Sequence, residues 1–201
     1  MINELKQDLR KIRCYHIASS LDELISQCKS NDVSHIECLR KIVDHELSNR
    51  YSTRLKKQYR QANLPCEKLL EYFDFNFQTS ITKRQVNGWL DFDWLDNRAN
   101  KLLVGPSGVG KTHLSLALSR EALLKGYKVR FFSMSQFVED MIMNEASGNS
   151  KEWIKGLLKN DLVVLDELGY LPIDHRYTHL FFHFINEFYE YRSSSKRCLS
   201  L

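Results

Sequence analysis

Eight residues constrain this chain more than any other stretch of it: Gly105-Pro-Ser-Gly-Val-Gly-Lys-Thr112. Three glycines and a proline within six positions cannot continue a helix or a strand. The run nevertheless lies between Leu102-Leu103-Val104, which reads as a short buried strand, and Thr112 to Lys125, which reads as a helix closed by Gly126. A strand that turns through glycines into a helix leaves the first helical amides without partners and lets the backbone approach whatever lies in front of them. That suits an anion. GxxxxGK[ST] is the spacing at which amides cradle a polyphosphate, the lysine reaches its outer groups and the hydroxyl meets Mg²⁺. The candidate nucleotide contacts are Gly105, Pro106, Ser107, Gly108, Val109, Gly110, Lys111, Thr112 and His113, with packing as the other reading of His113.

A second element completes this chemistry. Leu162-Val-Val-Leu165 is an apolar run ending in Asp166-Glu167, so two carboxylates stand at the carboxyl end of a buried strand, where open parallel sheets bind ligands. Asp166 with Thr112 is the candidate metal pair. Glu167 is the candidate base that polarises a water, and Lys111 the candidate catalytic cation. Lys128 to Phe132 reads as another strand. Helices are expected after Ser135, around Trp153 to Leu158 beyond a loop near 148, and over Tyr177 to Tyr191. In the last of these Leu180, Phe181, Phe184, Ile185 and Phe188 share a core-facing side. His175, His179 and His183 repeat every four residues but lack cysteine or carboxylate companions, so they read as a helix face and not a metal site. The alternation predicts an α/β fold with a parallel sheet flanked by helices.

Residues 1 to 64 contain neither glycine nor proline, and their apolar positions follow helical spacing. Two capping boxes, Ser20 to Glu23 and Ser34 to Glu37, predict helix starts, the second helix running from about His35 to Ala62 with Ile36, Leu39, Ile42 and Val43 as its apolar side. Toward its end Arg50, Arg54, Lys56, Lys57 and Arg60 follow with no acid among them, either a DNA phosphate surface or a solvated face. The domain reading is a helical partner or DNA region over 1–64, an aromatic connector over 65–100 that packs on the core, and an ATPase core over 101–201. The five cysteines form no CxxC pair, so free thiols are expected rather than a disulfide framework or a zinc site. The charged first residues and the lack of a long apolar run predict an intracellular, cytoplasmic protein without a membrane segment. A net charge of +4 permits nucleic acid as a partner without demanding it.

Gly105 to Leu114, together with Asp166-Glu-Leu-Gly-Tyr170, resembles the IstB-like ATP-binding family, helper ATPases of bacterial insertion sequences, to which the DnaC helicase loader is related. Glu46, Arg50, the basic run to Arg60, Ala62-Asn-Leu-Pro65 and Leu70 to Phe75 are similar to the stretch joining that family's helical region to its ATPase core, and the likeness spans roughly 35 to 192. The resemblance implies a P-loop NTPase of the AAA+ type that binds ATP and Mg²⁺, assembles as a homo-oligomer on DNA and acts with a transposase in DNA transposition. It also implies a further strand after the last helix, placed between the phosphate-loop strand and the Asp-Glu strand and followed by a sensor and an arginine finger. This sequence carries only Cys198 to Leu201 toward that strand. The expectation is therefore an ATPase incomplete at its carboxyl end, with nucleotide binding retained and hydrolysis weak or lost. A helicase loader and a non-catalytic interaction module stay open as alternatives.

Overall fold

With nothing between Ile2 and Ala62 to break a helix except short turns, three helices form: α1 (Ile2–Lys11), α2 (Tyr15–Ser30) and α3 (His35–Ala62). The computed structural model describes residues 1–31, 33–77, 80–97, 99–167, 175–190 and 198–200, and the side chains of all but 175–177, 187–190 and 198–200 among them. The chain divides into two units, Met1–Lys57 and Gln58–Leu201, the boundary falling inside α3.

In the first unit α1 packs on α2, with Lys6 paired to Asp22. Ile17, Ala18, Leu21, Leu24 and Cys28 of α2 are buried. Ser34 caps α3 through the N–H of Glu37, at 3.2 Å. The box expected at Ser20 and Glu23 is absent, because both residues lie inside α2, which starts at Tyr15. Its cap comes from another helix instead: Glu46 of α3, 5% exposed, accepts the N–H of Ile17 at 2.8 Å and the Nε–H of Arg50 at 2.8 Å. A carboxylate reached across space serves the helix start and makes a local box unnecessary. This contact also sets the rotation of α3. Ile36, Leu39 and Val43 are exposed, at 80%, 63% and 51%, where a buried apolar side was expected, while Cys38, Ile42 and Glu46 turn inward.

The free-thiol expectation is corrected for two cysteines. Cys28 in the last turn of α2 and Cys38 in the first turns of α3 face each other across the helical hairpin, Cα to Cα 5.5 Å, and form a disulfide. Cys14 and Cys66 are free, and the side chain of Cys198 lies outside the described residues.

Burial raises the Glu46 carboxyl, but the Ile17 amide and the Arg50 guanidinium outweigh it and hold the group below the ordinary carboxylate value. A depressed folded value means that this stabilisation is present above the unfolded value of about 4.3 and is lost as pH falls through the folded one. Glu46→Ala is expected to destabilise the helical hairpin by about 1–3 kcal/mol at pH 7, since it leaves a buried N–H unmet. Amide exchange at Ile17 measures this directly, and wild type and Glu46→Gln should converge in stability only once the pH has fallen below the depressed folded value of Glu46.

In the second unit strands β1 (Val129–Ser133), β2 (Leu162–Asp166) and β3 (Cys198–Ser200) form a parallel sheet in the order β1-β2-β3. Val129 lies opposite Leu162 and Ser133 opposite Asp166, while Leu162 also pairs with Cys198. Alternation along the strands divides the core. Phe132, Val163 and Leu165 meet α7 (Met134–Ala146), α8 (Ser150–Leu157) and α9 (His175–Glu190) through Phe137, Met141, Ile154 and the fully buried Phe184. On α9, Leu180, Phe181 and Ile185 pack on this cluster, His179 and His183 are exposed, and the side chains of Phe188 and His175 lie outside the described residues. The other face of the sheet meets α6 (Lys111–Leu124), buried from Leu114 through Ser119 and again at Ala122 and Leu123.

The strand expected over Leu102 to Val104 does not form. Leu102, Leu103 and Val104 make no strand pairing, although the preceding Lys101 makes a bridge, and Leu102 and Val104 are 62% and 83% exposed. β1 and β3 occupy the two edges of β2, and β3 has only three residues to pair with anything beyond it.

Residues between Leu70 and Trp89 pack against Leu114 of α6. α4 (Lys83–Trp89) begins with a full capping box between Thr82 and Gln85, and α5 (Asp93–Asp96) is a single turn. Phe73, Val86 and Leu114 form a cluster joined by Leu70, Phe75, Trp89 and Leu103, and Phe92 is fully buried. Tyr72 and Phe77 remain exposed, at 75% and 76%.

Candidate nucleotide site

β1 begins five residues after α6 ends, so α6 runs back along the sheet and its first turn lies toward the carboxyl ends of the strands. A 14-residue helix and a five-residue strand span about 21 and 16 Å, enough for the helix start to reach that edge. There β2 delivers Asp166, half-buried and level with Ser133 of β1, followed by the exposed Glu167. Glu167 has φ 66°. A non-glycine residue in the left-handed region is strained by about 1–3 kcal/mol, and such strain clusters at functional sites.

The loop before α6 is exposed from Gly105 to Gly108 and half-buried at Val109 and Gly110. Gly110 is the N-cap, left-handed at φ 86° and ψ 18°, and no side chain caps the helix. The first amides of α6 are thus left for an external acceptor, the condition under which a helix start holds an anion. Lys111 folds over the loop, its Nζ donating to the carbonyl oxygens of Gly105 and Pro106, each at 2.8 Å. Those acceptors are in an exposed loop and are readily exchanged for a stronger anionic one. Thr112 is exposed on the first turn.

His113 is turned elsewhere. Its Nε2 lies 2.8 Å from the carbonyl oxygen of Leu69, and its ring stands edge-on to Phe73 with centroids 5.5 Å apart. The connector therefore braces the junction of loop and helix through Leu69 and Phe73. Nothing in the sequence singled out Leu69, and Phe73 stood out only as one of the connector's aromatics and as part of the Leu70 to Phe75 stretch. Of the basic candidates, Arg50 is committed within the first unit to Glu46 and to the carbonyl oxygen of Arg13, at 2.8 and 2.6 Å. Arg54, Lys56 and Lys57 are exposed on α3 in that unit, and Arg60 is exposed on the part of α3 in the second.

Among the described residues no three His, Cys, Asp or Glu side chains cluster as a metal site. Thr112 and Asp166 are oxygen donors of the kind that suits Mg²⁺, which takes few protein ligands and fills its shell with phosphate and water. No described helix is long and apolar enough to cross a membrane.

A parallel sheet flanked by helices, a glycine loop opening a helix, and an acidic pair ending the neighbouring strand define a P-loop ATPase fold of the AAA+ type. The structure of AMPPCP-bound DnaA from Aquifex aeolicus is similar to it, with a TM-score of 0.57 and 26% identity over 69% of this chain and 42% of that one. More particularly, residues 7–195 match the family model described as IstB-like ATP binding protein, and the chain belongs to that family. It is 29% identical to the ATP-binding protein of insertion sequence IS21 from Pseudomonas aeruginosa over 94% of this chain and 71% of that protein. An IS21-like insertion-sequence ATP-binding protein of Bacteroides fragilis (strain YCH46) is 28% identical over 91% of this chain and 92% of its own length.

Proposed function

We propose that this protein is the ATP-binding helper of an insertion sequence, which takes up ATP and Mg²⁺ at Gly105–Thr112 and, as a multimer on DNA, acts with a transposase at target DNA. The observation that carries this reading is the uncapped start of α6 at the end of the sheet where β2 closes on Asp166 with Glu167 following, in a chain of the IstB-like family.

The residues divide the work by their chemistry. The amides of the glycine loop and the first turn of α6 hold the phosphates, and Lys111 exchanges the carbonyl oxygens of Gly105 and Pro106 for the β and γ groups. Thr112 and Asp166 hold Mg²⁺, which neutralises phosphate charge when bound. Glu167 accepts the proton of a water as the water oxygen bonds to the γ-phosphorus and the bridging oxygen leaves with ADP.

For DNA the reading uses the exposed Arg54, Lys56, Lys57 and Arg60, whereas Arg50 serves mainly to hold Glu46. Titration of the protein onto linear duplex DNA should show at least about tenfold tighter binding with ATP and Mg²⁺ than without. Lys56→Ala with Lys57→Ala should lower the salt slope by about 1.8, from about 0.9 per phosphate contact. Equal affinity with and without nucleotide would remove the coupling on which the helper reading depends.

A further inference from the structure

A cavity of about 540 Å³ opens in the second unit at the amino ends of the strands, lined in part by Lys128 and Val129 at the start of β1 and by Asn160 just before β2. Asp166 lies at the other end of β2, about 13 Å along the strand, so this cavity is distinct from the loop of Gly105 to Thr112. Its lining brings together three cations, Lys128, Arg130 and Lys159, with Trp153, Gln58 and Gln61, and includes no acid among the described residues.

The wall is well fixed. Arg130 donates to the carbonyl oxygen of Gln61 at 2.9 Å and lies over the ring of Phe132 at 4.9 Å. The backbone of Lys128 is held on both sides, its N–H by the carboxylate of Asp161 and its carbonyl oxygen by the amides of Asp161 and Leu162, at 2.8 to 3.0 Å. Asp161 is thereby engaged by backbone, and the ammonium groups of Lys128 and Lys159, both exposed, form no ion pair among the described residues. Trp153 is anchored to Phe137, centroids 5.3 Å apart, and is only half-buried.

We propose that this cavity binds one nucleotide of a single DNA strand, Lys128 and Lys159 meeting phosphodiester groups and Trp153 with the Gln61 amide meeting the base. The proposal rests on the DNA reading given above and assigns a site to it in the second unit. Cations alone would serve an acidic peptide equally well. A ring beside a side chain that both donates and accepts hydrogen bonds suits a base, and unpaired strands are held by such a combination of cations and stacking surfaces. A concave site of this volume admits a splayed nucleotide, whereas an intact duplex presents its phosphates on a convex surface.

The test uses the full chain, a fluorescein-labelled fifteen-residue oligo-dT and anisotropy at several NaCl concentrations. Lys128→Ala with Lys159→Ala should lower the salt slope by about 1.4, from about 0.7 per phosphate on a single strand, and weaken binding about 25-fold at 0.1 M salt. Lys128→Arg with Lys159→Arg should restore both, and binding of a fluorescent ATP analogue should be the same in all three proteins. If the wild type binds neither the oligo-dT nor the linear duplex, this proposal and the wider DNA reading fail together, and if it binds the duplex but not the oligo-dT, this proposal alone is overturned. If it binds and the alanine pair leaves affinity and slope unchanged, the cavity assignment alone is overturned. Loss of poly-glutamate binding without loss of oligo-dT, or dTMP binding as tight as the oligonucleotide, would assign the cavity to an acidic protein or a free nucleotide and would likewise overturn it.

Discussion

Lys111→Ala is expected to weaken ATP–Mg²⁺ binding about 100-fold while leaving the fold in place. The ammonium is the formal charge that the glycine loop itself supplies, and at about 4 Å from a phosphate oxygen, with an effective dielectric constant near 20, the attraction is about 4 kcal/mol. Some of that is offset by desolvation and by the bonds that Lys111 gives up to Gly105 and Pro106. A net loss of about 2.7 kcal/mol corresponds to the 100-fold figure. The unliganded protein loses little, because both acceptors are in an exposed loop where water replaces the lysine. The consequence can be read twice. A fluorescent ATP analogue reports the affinity, and ligand-induced stabilisation reports it independently: at 100 times the wild-type dissociation constant the wild type gains about 2.7 kcal/mol and the variant about 0.4. Unchanged affinity in Lys111→Ala would remove the nucleotide site from the glycine loop.

The parts of the fold that were legible in the sequence are those specified by local pattern. α3 spans the residues its periodicity indicated, and β2 begins at the apolar run Leu162 to Leu165. Gly126, at φ 90°, follows α6 where a helix-closing glycine was expected. What escaped depends on partners distant in sequence. The cap of α2 is a carboxylate from α3, 29 residues away, so a correctly spelled box at Ser20 marks nothing. Cys28 and Cys38 follow no recognisable spacing, and only the hairpin of α2 and α3 brings them together. Leu102 to Val104 has the composition of a strand, but a strand exists only where a neighbour presents backbone groups to it. For the candidate site, the glycine loop and the acidic pair announce themselves because their chemistry requires fixed residue types at fixed spacing. The bracing of that loop by Leu69 and Phe73 has no motif, since any well-shaped apolar group would meet the packing need.

That bracing leads to the other large effect. Gly110→Ala is expected to destabilise the second unit by about 2–5 kcal/mol and to impair nucleotide binding with it. Two costs combine at this position. At φ 86° the backbone is left-handed, which costs an L residue about 1–2 kcal/mol. A Cβ at this position would also lie 2.6 Å from Cε2 of Phe73, well inside contact distance. Phe73 cannot simply swing away: it is 8% exposed, packed with Val86 and Leu114, and in ring contact with Phe75 and His113 at 4.8 and 5.5 Å. Relief has to come from displacing the connector or from reshaping the loop, and overpacking of this kind costs about 1–3 kcal/mol. Gly108 provides the internal control, with φ 81° but nothing within 4 Å of where a methyl group would stand, so Gly108→Ala should incur the backbone cost alone. The difference between the two variants in denaturant unfolding isolates the contact with Phe73. Phe73→Leu should then be less harmful in the Gly110→Ala background than in the wild type, by at least about 1 kcal/mol in a double-mutant cycle. Equal losses at Gly108 and Gly110, with no coupling to Phe73, would mean that the connector does not brace the loop. Residual binding of the ATP analogue should follow the same order, because displacing Phe73 moves the residue that places Lys111 at the head of α6.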